Sequence, residues 1–245
     1  MSENQKKRKR AIVFGGSRGI GAAIARRLAR DGADVALTYV LAPEKAAETV
    51  AAIEAEGGSA LAIKADSANA DEIHHAVNQA IGRFGGLDIA VVNAGILKMG
   101  DFSTFSVDDL DRMLDVNVRG VFIAIQAAAA HMERGGRIVT IGSNVAVRSG
   151  YPGSSVYSMT KGAVAVMVKG IAIDLAPRGI TINNVQPGPT ITDMTAAQID
   201  LIQPMVPLQR VAEPDEISAL VSYLASAESA YMTGSSLTID GGLAL

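Results

Sequence analysis

Cysteine is absent from the 245 residues. That excludes disulfides, thiolate catalysis and cysteine-based zinc sites, and it is compatible with a reducing compartment. Histidine is almost as scarce. His74 and His75 are neighbours on a predicted exposed helix and His131 stands alone, so no two imidazoles have the spacing to share an ion and no metal is expected. Long hydrophobic runs are missing too: the longest, at 121–130, is broken by Gln126, short of the about 18 apolar residues that mark a membrane span. No membrane association is expected. Residues 1–10 carry Lys6, Lys7, Arg8, Lys9 and Arg10 against Glu3, or +4, which leaves −7 on the remainder of a chain of net charge −3. An acidic body argues against a nucleic-acid groove, and the basic segment 1–10 reads as a solvated N-terminal tail. No apolar h-region follows it, so a secretory signal is not expected and the expected location is cytoplasmic.

What is present is ordinary globular material, 49% hydrophobic and 19% charged. Its period alternates along the chain. Short apolar runs at 11–14, 34–40, 60–64, 87–93, 136–142, 180–185 and 236–239 read as strands, and amphipathic stretches at 20–30, 43–56, 69–84, 106–132, 155–176 and 214–225 read as helices. Asn69 and Glu72 are placed as an N-terminal cap pair. Strands alternating with helices mean right-handed crossovers and a parallel sheet covered on both faces. The expectation is a Rossmann-type, doubly wound α/β sheet of about seven strands in one domain, residues 11–245, with a less regular substrate loop at about 190–212.

The first strand is followed by GGSRGIG at 15–21. Gly15, Gly19 and Gly21 let the backbone turn tightly and approach a pyrophosphate, and the following helix offers its unpaired N–H groups. A βαβ unit beginning in this way places a dinucleotide site here. The end of the second strand discriminates the ribose. An NAD site places an acid there, but this chain reads Leu37, Thr38, Tyr39, Val40, Leu41, and its first acid is Glu44. Arg18 is available to a 2′-phosphate instead, with the hydroxyls of Ser17 and Thr38, so NADP(H) is expected over NAD(H).

Tyr157 and Lys161 are four apart, hence on one face of the 155–176 helix. The strand before it ends at Ser143, on the carboxyl edge where open α/β sheets bind ligands, so the hydroxyl and the phenol-ammonium pair can converge on one crevice. A phenol is a poor acid/base near neutrality. A nearby ammonium lowers its pKa and makes it usable for a carbonyl/alcohol pair.

With these motifs in order, the sequence closely resembles the short-chain dehydrogenase/reductase family, in particular its 3-oxoacyl-(acyl-carrier-protein) reductase-like members, from Ala11 to Gly242. The resemblance is carried by GGSRGIG, Asp66 after the third strand, NAG at 93–95, Asn117, Ser143, Tyr157 with Lys161, Pro187-Gly188 and TGSSLTIDGG at 233–242. It implies that Tyr157 exchanges the proton, Ser143 orients the substrate oxygen, Lys161 holds the nicotinamide ribose and lowers the Tyr157 pKa, and Asn117 anchors a water in a proton relay. It also implies cofactor contacts from Ile20, Tyr39, Asp66, Ser67, Asn93, Ala94, Gly95, Pro187, Gly188, Thr190 and Thr192. Two positions depart from the family pattern: Phe14 stands where a Thr usually precedes the first glycine, which bears on loop packing, and Thr190 replaces an aliphatic residue, which bears on the carboxamide contact.

The expected activity is therefore NADP(H)-dependent interconversion of a ketone and a secondary alcohol. The alternative is a nucleotide-binding regulatory role, because GGSRGIGAAIARR and VVNAGI also resemble a cyclic-di-GMP-binding member of the same family. The small-molecule substrate is set near Val145, Tyr151 and 193–207, in loops whose conformation the sequence does not specify. The resemblance, with an edge strand leading into apolar Leu243-Ala244-Leu245, also implies a homotetramer built on that edge and on the helices at 106–132 and 155–176.

Overall fold

A computed structural model of the chain describes residues 8–196 and 199–245. Its frame is a sheet of seven parallel strands in the order β3-β2-β1-β4-β5-β6-β7: β1 Lys9–Phe14, β2 Ala33–Tyr39, β3 Ser59–Lys64, β4 Leu87–Val92, β5 Met132–Ile141, β6 Thr181–Pro187 and β7 Ser236–Ile239. Alternate residues of β1 feed two cores. Ile12 and Phe14 join the core under α3 (Ala70–Phe84), α5 (Gly120–Ala130) and α6 (Ser155–Leu175), whereas Ala11 and Val13 join the one under α1 (Gly19–Arg30), α2 (Pro43–Ala55) and α8 (Pro214–Ala225). The chain winds outward from β1 in both directions, so β1 and β4 are neighbours whose connections leave to opposite sides. A crevice opens at their carboxyl ends.

Three boundaries differ from the sequence expectation. The basic tail does not reach residue 10. Arg10 donates through Nε and Nη2 to the Asp88 carboxylate at 2.8 and 3.0 Å, Arg8 Nε donates to Asp34 at 2.7 Å, and β1 begins at Lys9. These cations tie β1 to the starts of β4 and β2 because Asp34 and Asp88 open the neighbouring parallel strands; Lys6 and Lys7 lie outside the described residues. The 106–132 helix is two helices, α4 (Val107–Leu114) and α5, joined by a π turn at Asp115–Arg119, and β5 already starts at Met132. Just past that turn, Gly120 stands against the Ser67 carbonyl so closely that a Cβ has no room. The Asn69–Glu72 pair caps α3, with Asn69 Oδ1 accepting from Asp71 and Glu72 amides. The Glu72 carboxylate, however, accepts from the Asp66 N–H at 2.8 Å and from Asn69 Nδ2, not from the Asn69 backbone.

By length and mean hydropathy the helical stretches Val107–Ala130 and Ser155–Arg178 pass the test for a membrane span, which the reading of unbroken apolar runs did not anticipate. Here α5 and α6 cover one face of the sheet and supply Val121, Ile125, Val164 and Val168 to its core.

Candidate active site

The glycine loop 15–21 is built where β1 ends. Gly19, at φ +53°, turns the chain into α1, and no side chain caps that helix or places an acid in its first turn. Its first amides are therefore free to face an anion. Gly21 leaves no room for a side chain, since a Cβ would run into the Gly15 carbonyl and the Asn93 amide. Asn93, just past β4, donates to the Gly15 oxygen at 2.7 Å, which joins the two loops across the crevice. Thr38 lies beneath. It is 1% exposed, accepts from the Gly15 N–H through Oγ1 at 2.9 Å, and through its carbonyl accepts from Gly16. The expectation that Thr38 meets a 2′-phosphate is thereby corrected, because its hydroxyl is sealed under the loop. Phe14 is fully buried in the core and leaves the loop backbone undisturbed.

Beside the end of β2, the Ser17 carbonyl accepts from the Thr49 hydroxyl at 3.2 Å and Tyr39 closes the strand half-buried. Arg18 is exposed and reaches across the cleft to Asp193 at 3.4 Å. Asp66 faces Arg112, whose Nη2 donates at 2.9 Å. Burial works to raise the Asp66 pKa, but hydrogen bonds from the Ala68 amide and Arg112 outweigh it and keep the carboxyl below its ordinary range. Ser67 is buried beside it, and Ala94 packs against Gly15.

A single cavity of about 500 Å³ takes up the other end of the crevice. It gathers Ile20, Asn93, Gly95, Ser143, Tyr157, Lys161, Pro187, Gly188, Thr190 and Thr192 from the residues singled out by sequence. Ser143 follows β5, and its hydroxyl opposes the Tyr157 phenol; Tyr157 and Lys161 project from the first turns of α6. Lys161 is buried and donates through Nζ to the Ile141 carbonyl at 3.0 Å, 5.7 Å from the centre of the Tyr157 ring. Burial lowers its pKa to about 8. The phenol is raised to about 12 by burial, with the Ser143 hydrogen bond alone working downward. The expected lowering by the ammonium is not seen in the cofactor-free chain, where loss of hydration is the largest cause for both groups. Thr190, also buried, donates to the Gly188 carbonyl at 3.0 Å, which folds the β6 exit loop back on itself.

Asn117 lies behind the cavity wall. Its carbonyl oxygen accepts from the Ile96 N–H at 2.9 Å, and Nδ2 donates to the Ile96 carbonyl at 2.8 Å and to Thr160 Oγ1 at 3.2 Å. The remaining wall comes from Ile96, Leu97 and Met99 after β4, which the sequence pattern did not single out, and from the expected substrate region, with Val145, Tyr151 and, in 193–207, Leu201 and Ile202 of the short helix α7 (Ile199–Ile202). The apolar run directly following NAG at the carboxyl edge was a usable signal for the first three. Ala197 and Gln198 of the 190–212 loop lie outside the described residues.

A nicotinamide dinucleotide suits this set of groups: an uncapped helix N-terminus without acid, a glycine cradle closed to side chains, and a cavity with a hydroxyl, a phenol and an ammonium. Comparison with known proteins agrees. Residues 15–244 match a family described as enoyl-(acyl carrier protein) reductase. The chain is 40% identical over 236 residues to the cyclic-di-GMP-binding biofilm dispersal mediator protein of Escherichia coli K12, covering 95% of this chain and 96% of that one. It is 38% identical over 241 residues to a 3-oxoacyl-(acyl-carrier-protein) reductase of Staphylococcus aureus Mu50, covering 96% and 98%. Among solved structures it is similar to a short-chain dehydrogenase/reductase from Serratia marcescens BCRC 10948, at 50% identity, 97% and 98% coverage and a TM-score of 0.94. A short-chain dehydrogenase from Burkholderia cenocepacia J2315 in complex with NADP is similar at 48% identity, with the same coverage and TM-score. Matched along nearly its whole length, the chain belongs to the short-chain dehydrogenase/reductase family of oxidoreductases.

Proposed function

We propose that the protein interconverts a ketone and a secondary alcohol with NADP(H). The observation that carries the reading is the convergence of Ser143, Tyr157 and Lys161 on one cavity at the carboxyl edge of the sheet. Bound NADPH supplies the hydride for the carbonyl carbon and, in the reverse direction, its oxidised form accepts one. The chain's own residues do the rest. Ser143 donates to the substrate oxygen and holds it against the phenol. Tyr157, kept protonated by its surroundings, delivers the proton to that oxygen as charge develops on it. Lys161, anchored on the Ile141 carbonyl, holds the cofactor ribose and stands by as the positive charge that steadies the phenolate formed. The loop amides of 15–21 and the start of α1 take the pyrophosphate, Arg18 the 2′-phosphate, Asp66 and Ser67 the adenine, Asn93 to Gly95 the adenosine ribose, and Pro187 to Thr192 the nicotinamide. The NADP in a relative of 48% identity supports the choice of cofactor.

The same reading includes a cytoplasmic location and a homotetramer. Support for the assembly comes from β7, paired only with β6 at the sheet edge, and from apolar side chains on α6 left open, with Val166 68% and Ile173 75% exposed.

Tyr157→Phe tests the chemistry. NADPH oxidation with a panel of ketones is expected to fall about 100-fold or more while NADPH binding, followed by fluorescence, persists. Near-normal turnover in that variant sinks the assignment. A second reading, sequestration of a cyclic dinucleotide, rests on the 40% identity to the biofilm dispersal mediator protein. Calorimetry with cyclic-di-GMP beside the ketone panel separates the two, since a sequestering protein needs no phenol-ammonium pair.

A further inference from the structure

The cavity holds one polar group that neither the fold nor the chemistry above uses. The Tyr151 phenol oxygen is closed to water and has no hydrogen-bond partner, a condition that among buried side chains of the described residues it shares only with Thr181. Thr181 lies in β6 away from the cavity, whereas the Tyr151 ring lines the cavity together with Tyr157. Its backbone is held. The Tyr151 carbonyl accepts from the Ser154 hydroxyl at 2.6 Å, and the Gly153 carbonyl accepts from the Gly100 N–H at 3.1 Å, tying this turn to the loop after β4. The missing partner is therefore not a consequence of a loose segment. A buried O–H left unmade is costly, and a group kept in that state beside a ligand cavity is explained by a partner that arrives with the ligand.

The rest of the wall says what else that ligand is. Ile96, Leu97, Met99, Met194, Leu201 and Met205 surround the space beyond Ser143, and Lys161 is the one charged side chain among the described lining residues. Such a wall rejects a free carboxylate or phosphate and accepts hydrocarbon, with methionines able to adjust to its outline. Burial raises the Tyr151 pKa against the opposing influence of Arg148, so the phenol keeps its proton and acts as a donor.

We propose that Tyr151 is a specificity-determining hydrogen-bond donor to the substrate, and that the substrate class is uncharged, largely hydrocarbon dicarbonyl compounds, whose second oxygen meets Tyr151 while the first meets Ser143 and Tyr157. This inference rests on the ketone-reductase reading given above. The proposal requires the Tyr151 side chain to turn its hydroxyl into the cavity when substrate binds, while Ser154 and Gly100 hold the backbone of the turn.

The test compares wild type and Tyr151→Phe on a matched pair, 2,3-hexanedione and 2-hexanone, with NADPH. A diketone is intrinsically the more reactive electrophile, so the quantity read is the change between the two proteins, not the preference of either. In Tyr151→Phe, kcat/KM for the diketone is expected to drop about tenfold or more, mainly through KM, while 2-hexanone stays within about twofold. The melting temperature of the free protein is expected to hold or rise, because the variant deletes an orphaned hydroxyl, and the shift that saturating 2,3-hexanedione produces in wild type should shrink in the variant. Equal losses on both ketones overturn the proposal, as does a lower melting temperature, which would mean that the hydroxyl serves the fold. Wild type that reduces neither ketone, nor any other in the panel, overturns the reductase reading and this inference with it, an outcome distinct from an active enzyme that ignores the second oxygen.

Discussion

Asn117 and Ile96 hold each other at two points: the side-chain amide accepts from the Ile96 N–H at 2.9 Å and donates to the Ile96 carbonyl at 2.8 Å, in the manner of one rung of a sheet. The π turn at Asp115–Arg119 brings Asn117 to this position, and Thr160 takes the amide's other hydrogen. The amide is thus committed to fixing the segment after β4 that walls the cavity, which makes Asn117 a positioning residue. Asn117→Ala strands the Ile96 groups and Thr160 inside the protein. We expect it to cost about 2–4 kcal/mol and to lower the melting temperature by about 5–10 °C, together with activity. A residue needed only for a water relay would lose activity at unchanged melting temperature.

Thr38 is expected to matter to the loop and not to the ribose. Thr38→Val removes the acceptor for the Gly15 N–H and should cost about 1–3 kcal/mol in urea unfolding, weakening NADPH and NADH binding alike. An equal stability with selective loss of NADPH affinity would restore the hydroxyl to the 2′-phosphate. Converting the cofactor preference therefore calls for an acid beyond Thr38, at the exposed Val40, and not at Thr38 itself.

Arg18 and Asp193 set the third expectation. The pair is exposed, so its own contribution to stability is small. Its effect on the cofactor is larger: Arg18→Ala should weaken NADPH about tenfold with NADH unchanged, and Asp193→Asn, which frees the guanidinium, should tighten NADPH. Fluorescence titration with both cofactors measures this, and equal losses for NADPH and NADH on removing Arg18 would end its assignment.

Lys161 makes the cofactor-free protein more stable in mild alkali. Burial lowers its pKa to about 8 from an ordinary 10.5, so the unfolded chain binds the extra proton between those values and stability rises with pH across that window. The full change is on the order of 3 kcal/mol. The cost of the buried charge is complete below pH 8 and gone above 10.5. Tyr157, with its pKa raised to about 12, pulls the other way only above pH 10. Melting temperatures of wild type and Lys161→Met between pH 7.5 and 9.5 isolate the effect: the advantage of the methionine variant should shrink as pH rises, and a constant difference would show that the ammonium is not desolvated.

Light scattering addresses assembly. A mass near four chains at micromolar concentration, falling when Val166 and Ile173 are replaced by lysine, is expected; a particle near the 25.3 kDa of one chain rules the tetramer out.

The sequence by itself determined the alternation that became the seven-stranded sheet, the glycine cradle before α1, and the presence of Tyr157 and Lys161 on one helix face, because periods of 2 and 3.6 and a spacing of four are short-range properties. It also brought Ser143 to the same edge through the rule that parallel sheets bind at their carboxyl ends. What only the tertiary structure decided are partnerships between residues far apart in the chain. Thr38 lies under Gly15, Arg112 on Asp66 and Arg18 on Asp193, and these depend on how crossovers bring loops together. The π turn within the 106–132 stretch and the fit of Gly120 against the Ser67 carbonyl are likewise features that helix periodicity does not contain. Burial decided the protonation of the site: the spacing put Tyr157 and Lys161 on one face, but both shifts come chiefly from the hydration that the two side chains lose in the fold.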